Sequence, residues 1–405
     1  MKKLLTTLLL AATMTATAQE TVGLNAGDIT SPEINADQTV TFRFFAPQAK
    51  EVKLEADFLP KQKIQTPMGE METTGTVVLN KDSNGLWTYT SPVLAPELHT
   101  YSFSVDGLRM TDPNNVYMQR DIFTYTNYFL IDGELSANYI VRDVPHGTVA
   151  KVWYPSPKLN MEQRRMTVYT PAGYDDPKNS QRRYPVFYLL HGAGGDENAW
   201  SELGRAAQIL DNLIAQGKAE PMIVVMPNGN GAQQAVPGEY ANSMYKPSFR
   251  NARTMDGAIE AAFASDVVGY IDSHYRTLAD KAHRAIAGLS MGGFHSLYIS
   301  LNNPDMFDYV GLFSAAINRG NPTGDFAYIY SNLDEKLARQ FAKAPRLYYI
   351  AIGNTDFLYK DNVDYRKRLD QKGYRYEYCE TDGGHIWSNW RKYLNWFAPQ
   401  LFKEK

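Results

Sequence analysis

At 405 residues, 44% apolar and 21% charged, the chain is long enough for two or three domains, so a single small module is excluded. Its 41 Lys and Arg against 44 Asp and Glu leave a net charge of −3 with no basic block, which argues against nucleic acid or an anionic membrane surface as the main partner. The single cysteine, Cys379, excludes an intramolecular disulfide and a cysteine-based metal cluster.

The chain opens on Lys2 and Lys3, an apolar run from Leu4 to Ala12, and the small residues Ala16-Thr17-Ala18. This pattern reads as a secretory leader over residues 1–18, cut after Ala18. The run is too short to span a bilayer, and no later stretch approaches the ~20 apolar residues that spanning requires. A secreted or periplasmic protein without membrane insertion is expected.

Residues 19–137 read as an all-β sandwich. Segments such as Thr39 to Phe44, Glu51 to Leu54, Gly85 to Tyr89 and Tyr101 to Val105 alternate with period two and are separated by turn residues such as Ala46-Pro47 and Asp106-Gly107. Residues 138–148, with Pro145 and Gly147, read as the linker. From residue 149 to 405 the pattern changes. Short, nearly continuous apolar runs (Val186 to Leu190, Ile223 to Met226, Ala285 to Gly288, Leu347 to Ile352) suit strands buried on both faces. Helical patterns lie between them at Ala199 to Ala215, Met255 to Tyr275, Gly292 to Leu301 and Val363 to Gln371. Alternating strand and helix predict a doubly wound, mostly parallel α/β sheet.

Gly288-Leu289-Ser290-Met291-Gly292 fits G-x-S-x-G between a strand and a helix. Such a turn exposes the serine hydroxyl above the sheet, and Ser290 is the candidate nucleophile. Serine needs a base, and the chain has seven histidines. His99 falls in the sandwich and His146 in the linker; His274 and His283 precede the elbow; His295 lies within the helix after it. His191 ends a strand at His191-Gly192-Ala193-Gly194-Gly195, where a loop supplies an oxyanion amide. His385, on a loop after the strand Tyr374 to Cys379, is the candidate base. Asp356, just beyond Leu347 to Ile352, is the candidate acid, with Asp361, Asp364 and Asp382 as rivals. The order of nucleophile, acid and base is that of G-x-S-x-G hydrolases. The amides of Met291 and Ala193 are the candidate oxyanion hole. Tyr240, in the long segment Asn228 to Thr254, and Trp387 are candidate substrate contacts; an ordinary surface loop and an anchor for the last helix are the alternatives.

Tyr184 to Gly192, Gly288 to Gly293, the Gly353-to-Asp356 turn and Gly383-Gly384-His385 together resemble the esterase D group of α/β-hydrolases, specifically carbohydrate esterase family 1. That resemblance, over about Thr148 to Lys405, implies an α/β-hydrolase fold, a Ser-Asp-His triad and no metal or other cofactor. Thr39 to Arg43 with Ala46-Pro47, Gly85-Leu86-Trp87, Tyr101 to Gly107 and Thr111 to Asn114 resemble the early-set, immunoglobulin-like sandwich related to carbohydrate-binding module family 48. The pair implies a secreted feruloyl esterase acting on feruloylated or acetylated xylan or oligosaccharide. The alternatives are an acetyl xylan esterase, a siderophore-ester hydrolase and a non-catalytic glycan-binding protein.

Overall fold

The computed structural model describes residues 29–66, 69–241, 253–318 and 324–403. The leader read over 1–18 lies outside these residues, as does most of the second half of the Asn228-to-Thr254 segment.

The alternating segments form two antiparallel sheets face to face. One contains Val40–Phe45 between Glu33–Ile34 and Leu86–Thr90, with Asn80–Lys81 at its edge. The other runs Met118–Asp121, Thr124–Leu130, Leu98–Val105, Val52–Ala56, Gly75–Val78. Alternate residues point inward, so Val40, Phe42, Phe44, Val52, Leu54, Trp87, Tyr101, Phe103 and Phe129 make one aromatic-rich core.

The second part holds eight strands: β1 (Thr148–Ser156), β2 (Met161–Thr170), β3 (Val186–Leu190), β4 (Ile223–Pro227), β5 (Arg284–Leu289), β6 (Tyr309–Phe313), β7 (Leu347–Gly353) and β8 (Glu377–Thr381). Their order in the sheet is 1-2-4-3-5-6-7-8. The first pairings are antiparallel, and every pairing from β4 onward is parallel. This is the α/β-hydrolase architecture, with helices on both faces: α1 (Ala199–Glu202), α2 (Ala206–Ala215), α3 (Ala258–Ala262), α4 (Gly269–His274), α5 (Met291–Asn302), α6 (Leu333–Ala342), α7 (Tyr359–Gln371) and α8 (Trp387–Phe397). The helical pattern over Ala199 to Ala215 is two helices, because Arg205 at φ 55° breaks it. A π-helical turn, Phe263–Val268, joins α3 to α4. One apolar cluster lies on each face of the sheet.

The segment between the sandwich and β1 is packed rather than loose. Leu98 from the sandwich and Tyr139 belong to the cluster formed by α2, α8 and the sheet, and Tyr128 and Leu130 pack against it. Asn212 on α2 donates to the carbonyls of Asn138 and Ile140 at 3.1 and 2.9 Å, and Asn138 donates to Asn395 on α8 at 2.8 Å. His146 and the Gly147 amide bond Asp211 at 3.0 and 2.9 Å. Arg391 on α8 is buried and reaches Glu97 at 3.1 Å, the Leu98 carbonyl at 3.2 Å and the Leu203 carbonyl at 2.9 Å. Arg120 pairs with buried Asp196 across the same boundary.

A shared core and a buried ion pair predict that the two parts unfold as one unit. Arg391→Ala removes the counter-charge of Glu97, whose carboxylate keeps only the Leu98 amide at 2.9 Å, and takes the guanidinium away from two carbonyls, so a loss of roughly 3–5 kcal/mol is expected. In urea melts followed by tryptophan fluorescence and by far-UV dichroism, the wild type should show coincident transitions, and Arg391→Ala should separate them.

Candidate active site

Ser290 sits between β5 and α5 at φ 54°, ψ −113°, a conformation that few L residues adopt. The backbone around it is fixed: the Ser290 amide donates to the Phe313 carbonyl at 2.8 Å, and its carbonyl accepts from Ala316 at 3.1 Å. The glycines of G-x-S-x-G are required by close approach. A Cβ on Gly288 would lie 2.5 Å from the Gly292 backbone, and one on Gly292 2.4 Å from the Leu190 carbonyl. α5 then begins at Met291, so its first amides surround the serine at the positive end of the helix dipole.

Asp356 and His385 come from the loops after β7 and β8, two strands that pair in parallel. The loops are laced together. Asn354 donates to the Thr381 carbonyl at 2.8 Å, Thr355 to Gly383 at 3.1 Å, and Asn389 to Gly384 at 3.0 Å. A Cβ on Gly353 would lie 2.2 Å from the Gly383 carbonyl, so glycine is what lets the loops touch. The Asp356 carboxylate is fully buried; one oxygen accepts from the Leu358 amide at 2.9 Å and the other meets His385 Nδ1 at 2.8 Å. His385 keeps 18% of its side chain exposed, with its ring against Phe357 and Trp390. Trp390 in turn donates to Ser314 at 3.2 Å, at the end of β6, which lies between the strands that carry Ser290 and Asp356. The three candidates thus lie at the carboxyl ends of one sheet. Among the described residues the Ser290 hydroxyl has no hydrogen-bond partner.

The rivals are placed elsewhere. Asp382 is exposed and accepts from Asn354 at 3.0 Å, and Asp364 pairs with Lys360 on the outer face of α7. The other histidines each have a local partner: His99 Asp57, His146 Asp211, His274 Tyr270, His283 Asp280, and His295 the buried Glu260.

His191 is buried between two backbone groups. The Gly229 amide donates to Nε2 at 2.7 Å, and Nδ1 lies 2.8 Å from the Gly192 carbonyl. Burial pushes its pKa down to about 4. Ala193 follows in an exposed loop. Trp387 packs edge-on against Trp200 and Trp390 while facing a cleft shared with His385, so it anchors α8 and lines the cleft as well. Tyr240 is half-buried near Glu197 and does not line that cleft; Tyr245 and Phe249 lie outside the described residues.

The cleft, of about 600 Å³, is formed with the sandwich, whose Phe58, His99, Ile122 and Phe123 face His385, Ile386 and Trp387. Sequence reasoning missed this wall, and missed Phe357, which is 63% exposed with its ring 4.6 Å from that of His385. An aromatic directly after the candidate acid was the one local signal for Phe357. Phe123 had none, because only the docking of the two parts brings it here.

The depressed His191 pKa has a pH consequence. Above about pH 6.5 the imidazole is neutral in both folded and unfolded chains, so it exerts no penalty. As pH falls from 6.5 toward 4, only the unfolded chain gains the proton, and stability is lost by an amount on the order of 3 kcal/mol. Urea unfolding at pH 7, 5.5 and 4.5 should show this loss, with a shallower slope in a His191→Asn variant.

The Esterase family model matches residues 156–400. An endo-1,4-beta-xylanase/feruloyl esterase of Xylanibacter ruminicola is 30% identical over 379 residues, covering 92% of this chain and 46% of that protein. The endo-1,4-beta-xylanase Y of Acetivibrio thermocellus is 28% identical over 272 residues, 60% of this chain and 22% of its own length. The chain thus spans less than half the length of these two curated relatives. Among solved structures, a CE1 ferulic acid esterase from the anaerobic fungus Anaeromyces mucronatus superimposes with a TM-score of 0.52 at 26% identity, over 65% of this chain and 93% of that one. The enterobactin esterase of Shigella flexneri, at 15% identity, has a TM-score of 0.59 over 90% of this chain and 93% of its own, a likeness of fold that extends through the sandwich. By its sequence and its fold, the chain belongs to the esterase family of α/β-hydrolases.

Proposed function

We propose that this protein is a serine esterase that releases ferulate, or a similar hydroxycinnamate, from arabinoxylan. The observation that carries the reading is the His385–Asp356 pair at 2.8 Å, set with a strained serine elbow at the carboxyl ends of one sheet, with His385 lining an aromatic-walled cleft. The feruloyl esterase named in the Xylanibacter relative supports the acyl group, and its match covers the sandwich as well as the hydrolase.

In this mechanism Asp356 accepts the Nδ1–H of His385, which leaves Nε2 as the base. His385 takes the Ser290 proton as Oγ attacks the ester carbonyl, and the carbonyl oxygen becomes an oxyanion facing the amides of Met291 and Ala193. The bond to the sugar oxygen breaks, His385 protonates the departing alcohol, and the acyl group stays on Ser290. Water, deprotonated by His385, then attacks the acyl carbon; the acid leaves and the serine recovers its proton. Because His385 must reach the sugar oxygen, the glycan is placed on the His385 side, in the cleft against the sandwich. Phe357, Trp387 and Phe123 offer flat faces there. The leader over residues 1–18 fits an exported enzyme that meets a polysaccharide.

With methyl ferulate and 4-nitrophenyl acetate as substrates, Ser290→Ala should abolish turnover. Asp356→Asn should lower kcat by roughly 10⁴-fold, as expected when the histidine is held in the wrong tautomer. Substantial turnover by either variant would sink the triad. The substrate assignment is read from the ratio of ferulate release to acetate release on native xylan; a ratio near zero makes the protein an acetyl esterase, and cleavage of a catecholate triester makes it a siderophore esterase. Phe123→Ala should raise KM on feruloylated xylan about tenfold relative to KM on methyl ferulate, the loss of one stacking face.

A further inference from the structure

We propose that His191 is the positioning residue of the oxyanion hole: as the neutral Nδ1–H tautomer it holds the Gly192–Ala193 peptide with its carbonyl turned inward and its N–H turned toward Ser290. The inference rests on the esterase reading and adds a role to a buried histidine that the mechanism leaves idle.

The tautomer follows from the donors. A backbone amide can only donate, so the Gly229 N–H at 2.7 Å requires a lone pair on His191 Nε2. The ring proton is then on Nδ1, where it meets the Gly192 carbonyl at 2.8 Å. The Gly195 amide donates to the same carbonyl at 3.1 Å, so two donors fix that oxygen. Among the described residues the one cis peptide is Ser31–Pro32, so the Gly192–Ala193 peptide is trans, and its N–H points opposite to its C=O. Turning the carbonyl in therefore turns the Ala193 N–H out. That amide has no acceptor among the described residues, as an oxyanion donor requires.

The peptide that carries this N–H begins at Gly192, which packs on the nucleophile's turn. A Cβ on Gly192 would lie 3.3 Å from Ser290 Cβ and 2.4 Å from Leu289 Cδ1, so the loop backbone rests directly on the elbow. The imidazole is boxed in by the same packing: a Cβ on Gly229 would lie 3.4 Å from Nε2 and 3.1 Å from Met291 Cε, and one on Gly195 3.0 Å from Nδ1. The loop is tied down beyond the ring as well. Asn230 donates to the Gly195 carbonyl at 2.8 Å, and the fully buried Glu197 accepts from Asn228, Val236 and Arg165. His191 is thus the side chain that determines which way one peptide faces within an otherwise rigid loop.

The test compares two variants of the full chain. In His191→Asn the amide Nδ2 takes the place of Nδ1 and keeps the donor to Gly192; in His191→Gln the longer amide reaches the Gly229 N–H but gives up that donor. Three quantities are read: kcat and KM on 4-nitrophenyl acetate, the inhibition constant of phenylboronic acid, whose tetrahedral adduct on serine mimics the oxyanion, and Tm. His191→Gln should lose about 10²-fold in kcat with KM within twofold, and should weaken boronate binding in parallel. His191→Asn should keep kcat and boronate affinity within about tenfold of wild type. The proposal is overturned if His191→Gln retains wild-type kcat and boronate affinity while only Tm falls, or if the two variants lose activity equally. Where His191→Gln does not fold, His191→Asn decides alone: a hundredfold loss of kcat at near-wild-type Tm overturns the proposal, and retention supports it. A wild type that turns over no ester, or activity that survives Ser290→Ala, defeats the esterase reading instead.

Discussion

The structure depends on one strained residue. Ser290 holds a backbone conformation that costs on the order of 1–3 kcal/mol, and it does so because the elements around it leave no alternative. β6 supplies the acceptor for its amide, the segment after β6 supplies the donor for its carbonyl, and the strand before and helix after it touch through glycines that no larger residue could replace. The central parallel strands, buried on both faces, provide the stiffness against which this strain is held. The loops after β3, β7 and β8 then need only meet the serine where the sheet ends.

Those loops are held in different ways. The acid and base loops interlock through backbone hydrogen bonds and one glycine contact, so the Asp356–His385 geometry does not rely on either loop alone. The loop after β3 is held by buried side chains: His191, Asn228, Asn230 and Glu197 satisfy one another and the backbone with few groups left over. α8 joins the base to the sandwich, because the helix that starts two residues after His385 carries Arg391, whose guanidinium closes on Glu97 and Leu98. Any shift of the sandwich is therefore felt at the base loop.

Much of this was legible in the amino-acid sequence because it is local. Gly288 to Gly292 encodes its own turn, alternation over Thr39 to Phe44 encodes a half-buried strand, and continuous apolar runs such as Val186 to Leu190 encode strands covered on both sides. Helix boundaries were less legible: a left-handed residue at Arg205 splits one pattern, and a π turn sits within Met255 to Tyr275. α6 was missed although Leu333, Leu337 and Phe341 recur at helical spacing, because ten residues leave the stripe only three members long. The cleft was not legible at all, since Phe58 and Phe123 reach His385 only through the packing of two parts distant in sequence. Tyr240 looked as promising as Trp387 on composition, and only the three-dimensional path of the chain separates them.

The placement of Leu98, Tyr128 and Tyr139 against α2 and α8 bears on how such a protein can be dissected. A chain cut at the linker would bare the apolar flank of both helices and strip the partner from Arg391, and exposed patches of that kind drive self-association. The sandwich is therefore no loosely tethered appendage, since it completes the apolar cluster beneath α2 and α8. A substitution on either side of the seam alters the packing of residues on the other.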